Sequence, residues 1–245
     1  MTPAVAAFAT PDEPPGLRIV MVDDELVVVD KPSGMPSVPA RTALDPPDVA
    51  TVLAADFGPL EAAHRLDRDT SGLLVLARSR EVRGLLGRAF EAGRVGKRYL
   101  AVVEGSPPHD SGVIHLPLAD DVDRPPRKRV DPILGRRATT RWRVLAEADS
   151  GGPSPRRVSL VELEPVTGRS HQLRVHLAWL GCPISGDRLY GRDANPPAPL
   201  ALHATSIVFP HPRTGLPVSL VAAPPAGAVW RSFTMAAACG QRGNV

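Results

Sequence analysis

Short apolar runs separated by Pro- and Gly-rich breaks dominate the chain. Leu17 to Val22 and Leu26 to Asp30 are β-branched stretches parted by Asp23-Asp24-Glu25, which predicts a strand, a tight turn and a second strand. Lys31 to Asp48 reads as a loop, and Val49 to Phe57 as a helix stopped by Gly58-Pro59. His64 to Thr70 is polar and reads as another loop. Gly72 to Ala77 has the pattern of a buried strand, and Ser79 predicts the cap of an amphipathic helix from Arg80 to Ala92, ending before Gly93. Lys97 to Glu104, Gly112 to Leu118, Ala138 to Leu145 and Val158 to Glu164 read as strands. Ser170 predicts the cap of a helix running through Leu180, with Leu173, Leu177 and Leu180 on one stripe. Leu202 to Phe209 and Pro217 to Val221 are two further strands around the turn His211-Pro-Arg-Thr-Gly215. Strands come in runs with few helices between them, so the regular alternation of a doubly wound parallel sheet is missing. The expected class is α+β, with a mixed, mostly antiparallel sheet.

The length of 245 residues and an apolar share of 43% suit one substantial core, expected over residues 17–236 between tails at 1–16 and 237–245. The formal charge of +3 conceals an asymmetry: the first thirty residues carry six acids and one base, which leaves +8 on the rest. A polyanionic partner suits that remainder. Its most basic stretch runs from Arg124 through Arg127, Lys128, Arg129, Arg136, Arg137 and Arg141 to Arg143, with Asp131 as the one acid. Prolines 125, 126 and 132 and Gly135 put this stretch in a long loop or hairpin, where it can be either an RNA-facing clamp or a solvated face. Cys182 and Cys239 have no metal-ligand spacing, so neither a metal site nor a disulfide framework is expected. No apolar run is long enough to span a bilayer, and the amino end lacks the basic flank of a leader. A cytoplasmic monomer is the expectation.

Three segments carry candidate chemistry. In His64-Arg65-Leu66-Asp67-Arg68-Asp69-Thr70-Ser71-Gly72, guanidinium charge on both sides of Asp67 favours the charged form of a carboxylate, as a nucleophile requires. The same residues also suit a structural ion pair, and Asp67 with Asp69 could be read as a glycosidase pair, although residues two apart in one loop are poorly placed to straddle a sugar. In Thr167-Gly168-Arg169-Ser170-His171-Gln172-Leu173-Arg174-Val175-His176, a helix start beside Arg169 and Ser170 suits an anion such as RNA phosphate, and Arg174 suits either a surface salt bridge or a clamp on a carboxylate. His171 and His176 are five apart and do not share a helix face, which argues against a metal pair. In Lys97-Arg98-Tyr99-Leu100-Ala101, Tyr99 is either core or a platform for a base. No phosphate-cradling glycine motif and no nucleophile elbow is present.

Taken in this order, His64-Arg65-Leu66-Asp67 with Thr70-Ser71-Gly72, Lys97-x-Tyr99-x-Ala101 and Gly168 to His176 resemble the RluA-type pseudouridine synthases of bacteria. Lys31-Pro32-Ser33-Gly34, Gly186-Asp187-Arg188-Leu189-Tyr190 and Leu202-His203-Ala204 extend the resemblance over most of the chain. Ser37-Val38-Pro39, the run from Leu116 to Pro125 and Ala138-Thr139-Thr140 are most similar to members that modify both a tRNA anticodon stem-loop and a large-subunit rRNA hairpin. The small basic S4-type domain that precedes some relatives is not expected here, because the first strand is read as beginning near Leu17. Cys182, where histidine is common, and the strongly basic Pro126-Arg127-Lys128-Arg129 depart from the pattern and bear on the choice of target.

The resemblance implies an α+β synthase fold with a central RNA-binding cleft, an isomerisation needing neither cofactor nor metal, and RNA as the partner. It implies that Asp67 is the catalytic carboxylate, that Tyr99 meets the target base, and that Arg174 pairs with Asp67. Arg65 is similar to the arginine that fills the gap left when the uridine leaves the stack. His64, Leu66, Thr70, Arg169, His171, Gln172 and Leu173 flank these groups and are expected to contact RNA, as are Arg124, Arg127, Lys128 and Arg129. A nucleoside glycosidase or an RNA-binding module without turnover are the competing readings; a second carboxylate and free uracil would mark the first, and absence of any product the second.

Overall fold

The computed structural model describes residues 16–39, 46–150, 156–194, 196, 198–227 and 229–233. The amino-terminal tail as far as residue 15, the carboxy-terminal tail and Cys239 lie outside the described residues. In chain order come strands β1 (Arg18–Val22) and β2 (Leu26–Lys31), helix α1 (Val49–Phe57), strands β3 (Glu61–Ala62) and β4 (Ser71–Ala77) and helix α2 (Arg80–Glu91). Strands β5 (Gly96–Glu104), β6 (Ser111–His115), β7 (Leu118–Asp120), β8 (Lys128–Val130), β9 (Thr139–Asp149) and β10 (Arg157–Pro165) follow, then helix α3 (Gln172–Trp179) and strands β11 (Leu202–Pro210) and β12 (Pro217–Val221). Strand-rich and helix-poor, the molecule is α+β as expected. Its contacts resolve two compact units, one built on the chain up to Lys97 together with Ala204–Ala223, the other on Arg98–His203 with the chain from Pro224 onward.

In the first unit the strand order is β1-β2-β4-β11, with β12 on β11 and the short β3 on β4. Strand β4 is buried along its whole length, because β2 pairs with it in antiparallel register and α2 packs on it. Leu26, Val28, Leu73, Val75, Val82, Leu86, Ile207 and Phe209 close the core between these elements. Asp48 caps α1 by accepting from the amides of Ala50 and Thr51, and Ser79 caps α2 by accepting from Val82. Gly72, at φ 111°, is needed where β4 begins, since a Cβ there would collide with the backbone of Ala204.

In the second unit β5-β10-β9-β6 is an antiparallel meander-like sheet, and β7 and β8 form a separate hairpin. The expected single strand from Gly112 to Leu118 is broken into β6 and β7, with Pro117, which has no N–H to donate, in the gap. Outward positions of β9 alternate with buried ones, and Arg141 and Arg143 stand opposite Glu164 and Glu162 of β10, bonded at 2.9 and 3.1 Å. These two arginines are therefore cross-strand ion pairs on a sheet face.

Candidate functional site

Asp67 lies in the first unit, in the loop between β3 and β4, on a tight turn closed by a 3.0 Å bond from the Thr70 amide to the Asp67 carbonyl. The neighbouring 31–37 loop zips onto this turn. Lys31, fully buried at 0% exposure, donates its three ammonium protons to the carbonyls of Pro32, Met35 and Arg68 at 2.9, 2.8 and 3.0 Å. Gly34 N donates to the same Arg68 carbonyl, Ser33 Oγ donates to the Asp69 carbonyl at 2.7 Å, and Ser37 Oγ bridges the Leu66 carbonyl and amide at 2.9 and 3.1 Å. The backbone on both sides of Asp67 is thus fixed. Burial pulls the Lys31 pKa down to about 7, against the opposing charges of Asp69, Asp67 and Asp30.

Arg65 is exposed, whereas Leu66 and Thr70 are buried and support the turn. Arg68 pairs with Asp69 at 3.4 Å. His64 faces its own protein: Nε2 accepts from the Val75 amide at 3.2 Å and the ring leans on Phe90 at 5.2 Å. Burial, helped by the Lys97 charge, lowers its pKa to about 3, so it is a neutral acceptor and carries no charge for a phosphate.

Tyr99, Arg174 and the remaining expected residues belong to the second unit. Tyr99 is mostly buried on β5, opposite Leu163 of β10. Arg174, only 3% exposed on α3, donates Nε and Nη2 to the two carboxylate oxygens of Asp187 at 2.8 and 2.7 Å. Asp187 Oδ1 also accepts the amides of Leu189 and Tyr190 at 2.9 and 3.1 Å. Burial works against the charge on Asp187, but the Arg174 bonds and the two amides outweigh it and hold the carboxyl below its ordinary range. Gly186, at φ 78°, lets the preceding chain pass against the Pro199 carbonyl, where a Cβ would collide. Bonds from Ser185 N to the Val102 carbonyl and from Glu104 N to the Pro183 carbonyl, at 2.9 and 2.8 Å, tie this segment to β5.

The start of α3 differs from expectation. Ser170 is exposed and caps nothing; His171 stands at the cap position with φ 58°, and no side chain caps the helix. Gln172 organises the turn instead. Its Oε1 accepts from Thr167 Oγ1 and Arg169 N at 2.8 and 3.0 Å, and its Nε2 donates to the Thr139 carbonyl and Thr140 Oγ1 at 2.9 and 3.0 Å. That uses the amide's full ordinary capacity. With Leu173 buried beside it, Gln172 supports the helix start and has nothing left for RNA. The chain of bonds continues through Thr140 to His176 Nδ1 at 2.9 Å, and His176 Nε2 donates to the Leu116 carbonyl at 3.1 Å, a neutral tautomer that agrees with the lowering of its pKa by burial.

The basic stretch divides according to its partners. Arg124 bonds Asp121 at 3.1 Å, Lys128 bonds Asp120, and Arg129 bonds Asp131 at 3.1 Å. Arg127, Arg136 and Arg137 have no acidic partner among the described residues. Arg169 Nε reaches the Arg137 carbonyl at 3.1 Å, which ties the stretch to the start of α3. Lys31, Asp187 and Tyr190 lie in the Lys-Pro-Ser-Gly and Gly-Asp-Arg-Leu-Tyr motifs, which mark their places along the chain but not the bonds they make. No group of three or more potential metal ligands occurs among the described residues.

Residues 25–179 match the family model described as RNA pseudouridylate synthase. The chain belongs to that family. It is an isomerase that converts uridine to pseudouridine in RNA. Its relatives include the dual-specificity RNA pseudouridine synthase RluA of Haemophilus influenzae, 41% identical over 82% of this chain and 90% of that protein. The protein of the same name from Escherichia coli K12 is 39% identical over 84% of this chain and 92% of its own length. Among solved structures, human RNA pseudouridylate synthase domain containing 1 superposes with a TM-score of 0.72 at 29% identity, covering 89% of this chain and 87% of that one. Human RNA pseudouridylate synthase domain containing 4 gives 0.70 at 26% identity, covering 88% and 92%. No helix among the described residues of the synthase is long and apolar enough to cross a membrane.

Proposed function

We propose that the synthase isomerises a uridine in a hairpin RNA, a tRNA anticodon stem-loop, a 23S rRNA hairpin or both, with Asp67 as the catalytic carboxylate. The observation that carries the assignment is the bracing of its turn, where Leu66, Arg68 and Asp69 are all bonded to the 31–37 loop. Such bracing fixes the backbone that carries the acid before substrate arrives, and preorganisation of that kind is what a charged catalytic group needs. Following the resemblance, Arg174 supplies a fixed positive charge to the reaction, Tyr99 meets the base, and Arg65 fills the gap left by the extruded nucleotide.

The bond from ribose C1′ to N1 breaks, the base turns within the site, and C1′ joins C5. C5 gives up its hydrogen as a proton and N1 ends protonated, so the reaction is an isomerisation without net oxidation. Asp67 can serve it by attack at C1′, by addition at C6, or by assisting loss of the 2′ proton, and each route uses an ionised, oriented carboxylate. The two-substrate reading is supported by the dual specificity for which the RluA relatives are named and by the motifs shared with them. RNA is held by Arg124, Arg127, Lys128, Arg129 and Arg169, with Arg136 and Arg137 alongside, and by His171. The enzyme acts as a cytoplasmic monomer and needs no metal. Mapping pseudouridine in total RNA from cells with and without the gene tests the substrate assignment. Loss at a tRNA anticodon stem-loop or an rRNA hairpin is expected, and an unchanged map overturns the reading.

A further inference from the structure

Tyr190 stands where the basic hairpin, the strained start of α3 and the Arg174–Asp187 pair meet within the second unit. Its hydroxyl accepts from the Lys128 amide at 2.7 Å and shares a 2.7 Å bond with His171 Nδ1. One ring thereby joins strand β8 to the residue at φ 58°. Two guanidinium groups contact the same ring, Arg127 at 5.2 Å and Arg174 at 5.3 Å from its centroid. The Tyr190 amide bonds the carboxylate of Asp187, so the backbone of this residue touches the partner of Arg174 while its ring touches Arg174 itself. Leu118, Val130 and Val175 pack with the ring in one apolar cluster that joins the hairpin to the helix.

A buried ion pair such as Arg174–Asp187 adds little net stability, because desolvation offsets the attraction. What the pair and the ring contribute is orientation. Arg127 contrasts with its neighbours in the hairpin: its Nε is buried and has no hydrogen-bond partner. A shift of this guanidinium toward an acceptor on RNA therefore breaks no Nε hydrogen bond, and it is felt first by the ring beneath it. We propose that Tyr190 is a positioning residue that couples seating of RNA on the β7–β8 hairpin to the orientation of Arg174. The inference rests on the reading of Arg174 as the fixed charge of the reaction and adds how that charge is aligned by the substrate. It also separates Arg127 from Arg124 and Arg129, which act on affinity alone.

The test uses the full chain and a hairpin RNA, and measures RNA affinity and the single-turnover rate at saturating RNA separately. Tyr190→Phe keeps the ring and both guanidinium contacts but loses the bonds to Lys128 and His171. The expected result is a fall of roughly tenfold in the saturating rate, with affinity changed less than about twofold and thermal stability retained. Arg127→Gln lowers affinity and the saturating rate together. In the double variant the rate losses are not multiplicative, because both act through one ring. An unchanged saturating rate in Tyr190→Phe, or multiplicative losses, overturns the coupling, as does a fall in rate that merely follows a fall in stability. If Tyr190→Phe fails to fold, Arg127→Gln decides: a lower saturating rate supports the coupling, and a change in affinity alone overturns it. Absence of pseudouridine formation by the wild-type enzyme would instead defeat the functional reading itself.

Discussion

The turn that carries Asp67 and the turn that carries Asp187 both fix a charged group, by opposite means. In the first, the brace is backbone: a buried ammonium and two hydroxyls bind carbonyls and an amide, so the chain's path is held whatever side chains point outward. In the second, the brace is a side-chain pair, a guanidinium fork on a carboxylate, with amides completing the acceptor's bonds. The first arrangement spreads orientation over a loop and the second concentrates it in two residues. Losing one bond of the first leaves others in place; losing Asp187 takes from a buried guanidinium its bidentate partner.

The largest effect follows from that difference. Asp187→Ala leaves Arg174 without its bidentate partner, and the expected cost is about 3–5 kcal/mol of global stability, read by urea unfolding. A loss below about 1 kcal/mol would show that the pair behaves as a surface ion pair. Lys31→Met removes three bonds but also the cost of burying an ammonium, and about 2 kcal/mol is expected. Its signature is local: amide exchange should quicken in residues 66–70 far more than in α3, and uniform quickening would contradict the brace.

His64 adds a pH dependence to the first unit. Its folded pKa of about 3 lies below its ordinary 6.5, so the unfolded chain binds the extra proton between these values. Stability from this group is present above pH 6.5 and is lost as pH falls toward 3. His64→Gln, which retains an acceptor for Val75 N, should flatten that acid loss; an unchanged pH profile would remove His64 from the account. The smallest effect is expected from Arg136→Gln with Arg137→Gln. Hairpin RNA should bind more weakly with a shallower salt dependence, the slope falling by about one unit for each phosphate that is no longer neutralised, and an unchanged slope would show that these arginines face solvent only.

Much of this was legible from the chain. The helix Val49–Phe57 and the strand Pro217–Val221 follow from apolar pattern and turn residues, and the acid loop was marked by its unusual charge. The start of α3 was not, because cap preference points to Ser170 while the turn is built by the Gln172 amide and a left-handed His171. Strand β3 has two residues and leaves no periodic trace. The basic stretch looked uniform because charge counting along the chain misses partners distant in sequence: Glu162 and Glu164 neutralise Arg143 and Arg141 from across the sheet. Asp187 and Tyr190 were visible as a motif, but their work depends on Arg174 lying thirteen residues before Asp187 in sequence and bonded to it in space.

The central claim is that the negative charge of Asp67 is required for isomerisation. Asp67→Asn keeps the size and much of the hydrogen-bonding capacity of the side chain while removing that charge. Incubated with hairpin RNA and followed by nucleoside chromatography, this variant should bind RNA and yield only unmodified uridine, whereas the wild type yields pseudouridine. Pseudouridine formation by Asp67→Asn at the wild-type rate would contradict the account.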